Sequence, residues 1–358
     1  MKKNILLITP NLIAGGSQRV MLNLFDKLKK KNVTLFIYKK NSLFFNINKK
    51  DPKIIFSKSK RVLLSFFEIN NLIRKKKFHV ILTSGRGMNV IIGIFSYFFK
   101  KKIDLIFREA NTMDEFHNKN IKNYIRLYMM KIAYFKAKYI IANSIDTKKD
   151  LIKYKIVNKK KIYVIPNPIN VNNNNLDDLT NLKKFISQKF IIIGCGSLTY
   201  QKNFQLLINA YNLFQKKIPN SCLLILGNGP MKNELNDLIN KYNLKHKIKC
   251  LGPIKNPFSI FCISNMFVLS SRFEGFGNVV VEAMFAGLQI ISTRCRGGPV
   301  EILKKGKFGY LSKNDDIKDL YNKMLMSYKK PKKYNVQNII KKYSSSSISS
   351  KYYSLITK

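Results

Sequence analysis

Short apolar runs alternate with longer segments whose apolar residues recur at helical spacing, and the alternation runs almost the whole length of the chain. A chain patterned in this way forms parallel sheets covered by helices, because parallel neighbours need a crossover and a helix supplies it. In the first half, strands are expected at Ile5 to Thr9, Val33 to Tyr38, Val80 to Thr83, Ile103 to Phe107, Tyr139 to Ala142 and Tyr163 to Ile165. Helices are expected at Ser17 to Lys30, Val62 to Lys76, Met88 to Phe99, Tyr124 to Phe135 and Thr147 to Tyr154. Asn170 to Asn181 has no apolar periodicity and reads as a linker. A second series follows: strand Phe190 to Ile193, helix Phe204 to Lys216, strand Cys222 to Leu226, helix Lys232 to Tyr242 and strand Ile248 to Leu251. After it come a strand from Met266, a helix from Val280 and a strand at Ile290. The fold class is therefore α/β with two doubly wound parallel sheets, which place a ligand at the carboxyl ends of the strands. At 358 residues the chain exceeds one ordinary core. The expected division is 1–168, a linker 169–188, a second domain 189–330 and a tail 331–358.

Bulk properties exclude several classes. Met1-Lys2-Lys3-Asn4 opens onto only about five apolar residues before a Pro-Asn turn, which is not the pattern of a secretory leader. The longest apolar stretch, Met88 to Phe99, is far shorter than the roughly 20 residues of a spanning helix. A cytoplasmic protein is expected, soluble or peripheral at the inner face of a membrane. Cys195, Cys222, Cys250, Cys262 and Cys295 form no Cys-x-x-Cys pair and are expected as buried reduced thiols. His79, His117 and His246 are too isolated to suggest a zinc site. The formal charge of +47 invites a nucleic-acid reading, yet only nine of the 66 cationic residues are Arg, the residue that phosphate and base recognition favours. Residues 1–168 hold 37 Lys+Arg against 9 Asp+Glu, so the first half suits an anionic membrane or an anionic lipid-linked substrate. Solvated lysines without a partner are the plainer alternative.

The chemistry concentrates after Met266 to Leu269. There Ser270-Ser271-Arg272-Phe273-Glu274-Gly275-Phe276-Gly277-Asn278-Val279-Val280-Val281-Glu282-Ala283 sets two carboxylates eight positions apart across a loop-to-helix junction. Gly275 and Gly277 leave the backbone bare, and a helix N-terminus adds partial positive charge, a combination suited to a phosphate or a sugar carrying one. This stretch resembles the Glu-x(7)-Glu signature of family-4 retaining glycosyltransferases with the GT-B fold. Cys295-Arg296-Gly297-Gly298-Pro299-Val300-Glu301-Ile302-Leu303 is similar to the same family's Gly-Gly-Pro-x-Glu-Ile-Leu element. Ala142-Asn143-Ser144, Ile165-Pro166-Asn167-Pro168, Gly196-Ser197-Leu198-Thr199-Tyr200-Gln201-Lys202-Asn203 and Leu226-Gly227-Asn228-Gly229-Pro230 also stand in family order. Together they cover roughly residues 140 to 311.

The resemblance implies two Rossmann-like domains facing across a cleft, a nucleotide-sugar donor, read as a UDP-sugar, and a glycan acceptor on a lipid carrier. It makes Lys202 the donor-phosphate lysine, and an ammonium there would stabilise the charge gathering on the leaving group. Many members carry Arg where this chain has Ser197, so either Ser197 bonds the phosphate or Arg19 or Arg272 substitutes. Glu282 falls on the ribose hydroxyls, where a carboxylate can accept from both. Glu274, with the N–H groups of Gly275, Phe276 and Gly277, would face the hexose, with Asn278 and Val279 near the phosphates. Ile254 is a packing surface for the base. Gly15 and Gly16, between the first strand and first helix, would close over the donor phosphate. The histidine that many members hold near the reacting sugar falls here on Ala110, which turns attention to Glu109 and Asn111; His117 lies several residues too late. The resemblance also implies retention of configuration, with the leaving phosphate helping to deprotonate the acceptor, and a final helix over Tyr334 to Leu355 that returns to the first domain. The run Ser344 to Ser347 argues against one unbroken helix there. No Asp-x-Asp motif occurs, so no metal and no separate cofactor is expected, the nucleotide sugar being a co-substrate.

Two rivals belong to other classes. A dinucleotide-dependent oxidoreductase is suggested by Gly194-Cys195-Gly196 after a strand, but the third glycine and the acidic residue about twenty positions on are missing. A nucleic-acid-binding protein is suggested by charge alone, without a recognisable module.

Overall fold

Every strand pairing among the described residues of the computed structural model is parallel, in two separate sheets. The structure describes all residues except 1–2, 13–15, 39–46, 49, 60–61, 114–115, 117–119, 171–179, 188 and 255. One unit comprises Met1–Asn170 and Tyr343–Lys358, the other Val171–Lys342. The first contains β1 (Ile5–Thr9), α1 (Gly16–Leu28), β2 (Val33–Ile37), β3 (Ile54–Phe56), α2 (Val62–Lys76), β4 (Val80–Ser84), α3 (Arg86–Phe95), β5 (Asp104–Glu109), α4 (Ile121–Phe135), β6 (Ala137–Ala142), α5 (Ile145–Lys153) and β7 (Ile162–Val164). Its sheet runs β3-β2-β1-β4-β5-β6-β7. The second contains α6 (Thr180–Ile186), β8 (Phe190–Cys195), α7 (Phe204–Lys217), β9 (Ser221–Leu226), α8 (Lys232–Lys241), β10 (Ile248–Gly252), α9 (Phe258–Cys262), β11 (Met266–Leu269), α10 (Asn278–Phe285), β12 (Gln289–Thr293), α11 (Gly298–Ile302), β13 (Tyr310–Ser312) and α12 (Ile317–Lys329). Its sheet runs β10-β9-β8-β11-β12-β13. The chain closes with α13 (Val336–Tyr343) and α14 (Ser345–Thr357).

The strands at the middle of each sheet are apolar at successive positions because both faces are covered. In β1, Leu6 and Ile8 belong to one core and Ile5 and Leu7 to the other, on opposite faces as the two-residue repeat requires. The second core also takes in Ile348, Tyr352, Leu355 and Ile356 of α14, together with Val20 and Leu24 of α1. Each such aliphatic side chain stabilises by about 1.5–3 kcal/mol when fully buried, enough to hold the chain terminus on this unit. Ser344 breaks the terminal helical region: it caps α14, its hydroxyl accepting from the Ser347 N–H. That is the interruption which the serine run predicts, and it falls at the first serine.

The structure adds elements that the pattern did not announce. β3 and β13 are three residues long, too short to show a repeat. α9 and α11 have five residues each, below the length at which helical periodicity is visible. α12 is amphipathic but lies beyond the last strand anticipated. α6 occupies part of the stretch read as a linker, while residues 171–179 lie outside the described residues. The Met88 to Phe99 helix ends at Phe95 and passes into a 3-10 turn, Ser96–Phe98. The expectation of buried thiols holds for two of the five cysteines. Cys222 and Cys295 are buried and Cys195 and Cys250 half-buried, but Cys262, at the last position of the short α9, is exposed.

Candidate functional site

In the second sheet the strand order reverses between β8 and β11, which pair directly through Met266 with Ile192 and Phe267 with Ile193. From there the chain winds outward through β9 on one side and β12 on the other, so the loops leaving the two central strands diverge and open a crevice. The β8 loop carries Gly196 to Asn203 and the β11 loop carries Ser270 to Gly277. Several contacts join them, and the ion pair among these is central: Lys202 Nζ lies 2.6 Å from Glu274 Oε1, with side chains 18% and 6% exposed.

Neighbouring groups hold that pair. The Ser271 hydroxyl donates to the same Glu274 oxygen at 2.7 Å, and the Ser270 hydroxyl donates to the Lys202 carbonyl at 2.9 Å. The aliphatic stem of Lys202 crosses Gly196, where an added Cβ would sit 3.2 Å from Lys202 Cε. Gln201 Nε2 donates to the Phe273 carbonyl and Gln201 O accepts from the Arg272 N–H, tying one loop to the other. On the far side, Glu274 N–H donates to Arg296 O at 2.9 Å and Gly298 N–H donates to Gly275 O at 3.0 Å. The approach is close because Gly297 and Gly298 have no side chain: a Cβ would meet Glu274 O at 2.0 Å and Phe276 O at 2.2 Å respectively. The Gly-Gly-Pro element is thus a brace for the Glu274 loop. Behind it, burial first and the Glu274 carboxylate second push the Cys295 thiol up to about 12.

Gly275, Phe276 and Gly277 are buried in this loop, and Gly277 adopts φ +84° as the cap of α10 without a side-chain hydrogen bond. Asn278 and Val279 are the first two residues of α10, where the peptide dipoles leave partial positive charge. Glu282, one turn further, is a buried carboxylate on the same helix. Ser197 is exposed in the Gly196 loop, and Ile254 is half-buried just after β10. Arg272 is engaged elsewhere: its guanidinium stacks 4.0 Å from the Tyr200 ring centroid, donates to the Tyr200 carbonyl and pairs with Asp315 at 3.0 Å. Asp315 also accepts from Asn203 Nδ2, so Arg272 braces the base of α7.

The first unit has its own reversal, between β1 and β4. Gly15 lies outside the described residues, as does His117. Gly16 opens α1, and the next hydroxyl, Ser17, is 3.0 Å from Ser84 Oγ at the end of β4. Both hydroxyls accept from Arg108 on β5, whose guanidinium also reaches Asn167 and, on α14, Tyr352. Arg108 is fully buried, and these four partners are neutral oxygen atoms. Glu109, next in sequence, accepts from Asn89 and Tyr134 on Oε1 and from Arg86 on Oε2, the last at 3.1 Å. Burial, followed by the nearby Glu109 charge, raises the Tyr134 phenol well above its usual value. Glu109 therefore anchors Arg86, which begins α3 and lies over the Phe116 ring. Asn111 is exposed and its carbonyl accepts from Arg86.

Arg86, Arg108 and Ser271 were not foreseen. A Gly-Arg-Gly triplet straight after a buried strand, and an Arg-Glu pair closing the apolar run Leu105 to Phe107, are the signals that could have found the two arginines. Ser271 has no such signal, since its partner is set by the turn of the loop. Among the described residues no group of three or more His, Cys, Asp or Glu could hold a metal ion.

The sequence profile of Glycosyl transferases group 1 matches residues 180–344, and that of Glycosyltransferase Family 4 matches residues 14–173. An uncharacterized glycosyltransferase of Methanocaldococcus jannaschii is 32% identical over 302 residues, covering 79% of this chain and 73% of that one. The N-acetylgalactosamine-N,N'-diacetylbacillosaminyl-diphospho-undecaprenol 4-alpha-N-acetylgalactosaminyltransferase of Campylobacter jejuni is 29% identical over 234 residues, covering 64% and 62%. Among solved structures, Anabaena HepE in complex with UDP and glucose superposes with a TM-score of 0.82 at 16% identity, over 99% of each chain. WaaG, a glycosyltransferase involved in lipopolysaccharide biosynthesis, gives 0.74 at 14% identity, again over 99% of each. At these identities the likeness establishes the fold, GT-B, with its two parallel-sheet α/β domains.

Proposed function

Since the chain belongs to the glycosyl transferases group 1 family and is a glycosyltransferase, we propose that it transfers a hexose or N-acetylhexosamine from a UDP-sugar, with retention, to a lipid-linked glycan acceptor in surface-polysaccharide synthesis. The observation that carries the site assignment is the Lys202–Glu274 contact, formed by loops from the two strands at which the second sheet reverses. The UDP and glucose bound to HepE support the donor, and the diphospho-undecaprenol in the Campylobacter relative's name supports the acceptor. Relatives from Erwinia amylovora and Staphylococcus aureus, named for amylovoran and capsular polysaccharide biosynthesis, support the product class.

In this reading the sugar C1–O bond to the β-phosphate breaks while C1 bonds to the acceptor oxygen on the same face, and the acceptor proton passes to the departing phosphate oxygen. Lys202 keeps donor capacity beyond its bond to Glu274, since an ammonium has three N–H groups, and directs it at the diphosphate. The N-terminus of α10, with Asn278 and Val279, adds its dipole to the same charge. Glu274 orients both Lys202 and the hexose, with Gly275, Phe276 and Gly277 as the backbone wall. Glu282 takes the ribose diol, Ile254 packs on the base and Ser197 bonds a phosphate oxygen. Gly15, Gly16, Glu109 and Asn111 are candidates for the donor on the resemblance alone. No metal takes part, its electrostatic role falling to Lys202 and the helix end.

Thermal stabilisation by UDP, GDP, NAD and a short DNA duplex separates the rivals, because only a ligand of the folded state raises stability. UDP is expected to raise the melting temperature most; a preference for NAD would end the transferase reading. Mass spectrometry across UDP-, GDP- and ADP-sugars then names the donor, and NMR of the product anomeric proton reads the stereochemistry. A β-linked product from an α-linked donor would refute retention.

A further inference from the structure

We propose that the outward face of α4, with the adjoining turn Ser96–Phe98, docks on the surface of an anionic bilayer. α4 is divided lengthwise: Asn123, Met130, Ala133 and Tyr134 are buried. On the opposite side Ile121, Tyr124, Ile125, Tyr128 and Phe135 are between 57% and 79% exposed. Their positions, i, i+3, i+4, i+7 and i+14, fall on one side of a helix with 3.6 residues per turn. Single apolar side chains on a surface are ordinary, but a continuous stripe of this kind marks a contact surface.

The stripe continues beyond the helix. Tyr97 and Phe98 are exposed in the neighbouring turn, the Tyr97 hydroxyl donates to the Ile132 carbonyl at 3.4 Å, and Lys136 Nζ sits 4.2 Å from the Tyr97 ring centroid. These contacts bring the turn against the last part of α4. Cations border the apolar stripe: at 100° per residue Lys122 falls on one side and Lys131 on the other, with Arg126 one turn beyond Lys122 and further round from the stripe, and Lys100 to Lys102 follow the turn. α4 contains no acidic residue.

Tyrosines with an apolar ring and a polar tip, aliphatic side chains between them and flanking lysines suit the headgroup region of a membrane. The occupant is set by charge. A two-fold contact between copies of this chain through α4 would bring two cation-bordered faces together with no carboxylate on either helix to pair with Lys122 or Lys131, a like-charge arrangement that opposes association. Anionic headgroups reverse that sign. Among the described residues no helix is long and apolar enough to cross a membrane, so the contact is an interfacial one. The inference rests on the proposed lipid-linked acceptor for its purpose, yet its test uses neither donor nor acceptor, so the two can fail separately.

The test is co-sedimentation of the full chain with vesicles of phosphatidylcholine alone or mixed in equal parts with phosphatidylglycerol. Binding is expected to the mixed vesicles and not to phosphatidylcholine alone. The Lys122→Gln/Lys131→Gln variant should lose about fivefold in partitioning for each cation removed. The Ile125→Ser/Tyr128→Ser variant should lose at least about tenfold. Melting temperatures equal to that of the unaltered protein show that both variants are folded. Partitioning that ignores phosphatidylglycerol, or that neither variant changes, overturns the proposal. So does a dimer, seen by light scattering, that Ile125→Ser/Tyr128→Ser dissolves while vesicles go unbound.

Discussion

Replacing Gly298 with alanine isolates what the Gly-Gly-Pro brace does for the carboxylate loop. The added Cβ would lie 2.2 Å from Phe276 O and 2.8 Å from both Phe276 C and Cα, about 1.2 Å short of the 3.4 Å at which ordinary contact begins. All three atoms are backbone, so no rotamer change relieves the clash, and the Glu274 to Gly277 loop must move by roughly 1 Å. A displacement of that size costs about 100-fold in rate when it misplaces a reacting group. Here it falls on Glu274, whose oxygen is 2.6 Å from Lys202 Nζ and 2.7 Å from Ser271 Oγ. Overpacking should also cost about 1–3 kcal/mol. For a unit of this size that is a fall of roughly 2–12 °C in melting temperature. Gly287→Ala is the control. Gly287 has φ +77° with nothing within 4 Å of a Cβ, so alanine strains the backbone by about 1–2 kcal/mol without pushing on the loop. Steady-state donor turnover and a melting curve on both variants decide the matter. If Gly298→Ala keeps its kcat/KM, the position of the loop does not govern the chemistry. If Gly287→Ala loses as much activity, general destabilisation is the cause.

Three further outcomes follow from the same geometry. Lys202→Met leaves the buried Glu274 carboxylate without its ion-pair partner and should cost up to about 3–5 kcal/mol in urea unfolding, whereas adding Glu274→Gln should recover most of it without recovering turnover; a double variant no more stable than the single would contradict the pairing argument. Glu282→Ala should weaken UDP binding about tenfold or more while leaving the urea slope unchanged, and calorimetry showing equal affinity would remove Glu282 from the ribose. Stability should fall as pH rises past about 8.5–9. Burial pushes the Cys222 thiol up to about 11 and the Cys295 thiol up to about 12, so the unfolded chain sheds these protons first and binds fewer than the folded one across that window. A urea midpoint that stayed flat or rose between pH 8 and 10.5 would refute this balance.

Much of the central architecture was legible. β1, β4, β8 and β9 are continuous apolar runs because both faces of a parallel sheet are covered, and their bounds agree with the expected ones to within two residues. β3, β13, α9 and α11 were not legible: the two five-residue helices complete little more than one turn, too little for a helical period, and the two three-residue strands lie at sheet edges. Within the site, Lys202 and Glu274 could be named from their motifs. That the two side chains touch, and that Ser271 holds the same oxygen, could not.

Local chemistry along the chain determined the α/β class, the two winding series and the residue types able to face a sugar diphosphate, because strand and helix periods and glycine spacing are properties of neighbours in sequence. Tertiary structure decided which groups are committed to one another. Lys202 and Glu274 are 72 positions apart and meet across the loops of two adjacent strands; Arg108 and Tyr352 are 244 apart and join a strand to the last helix, so neither pairing can be read from neighbours in sequence. It also decided which face of α4 stays exposed, since an apolar stripe reads the same in sequence whether a core covers it or solvent does.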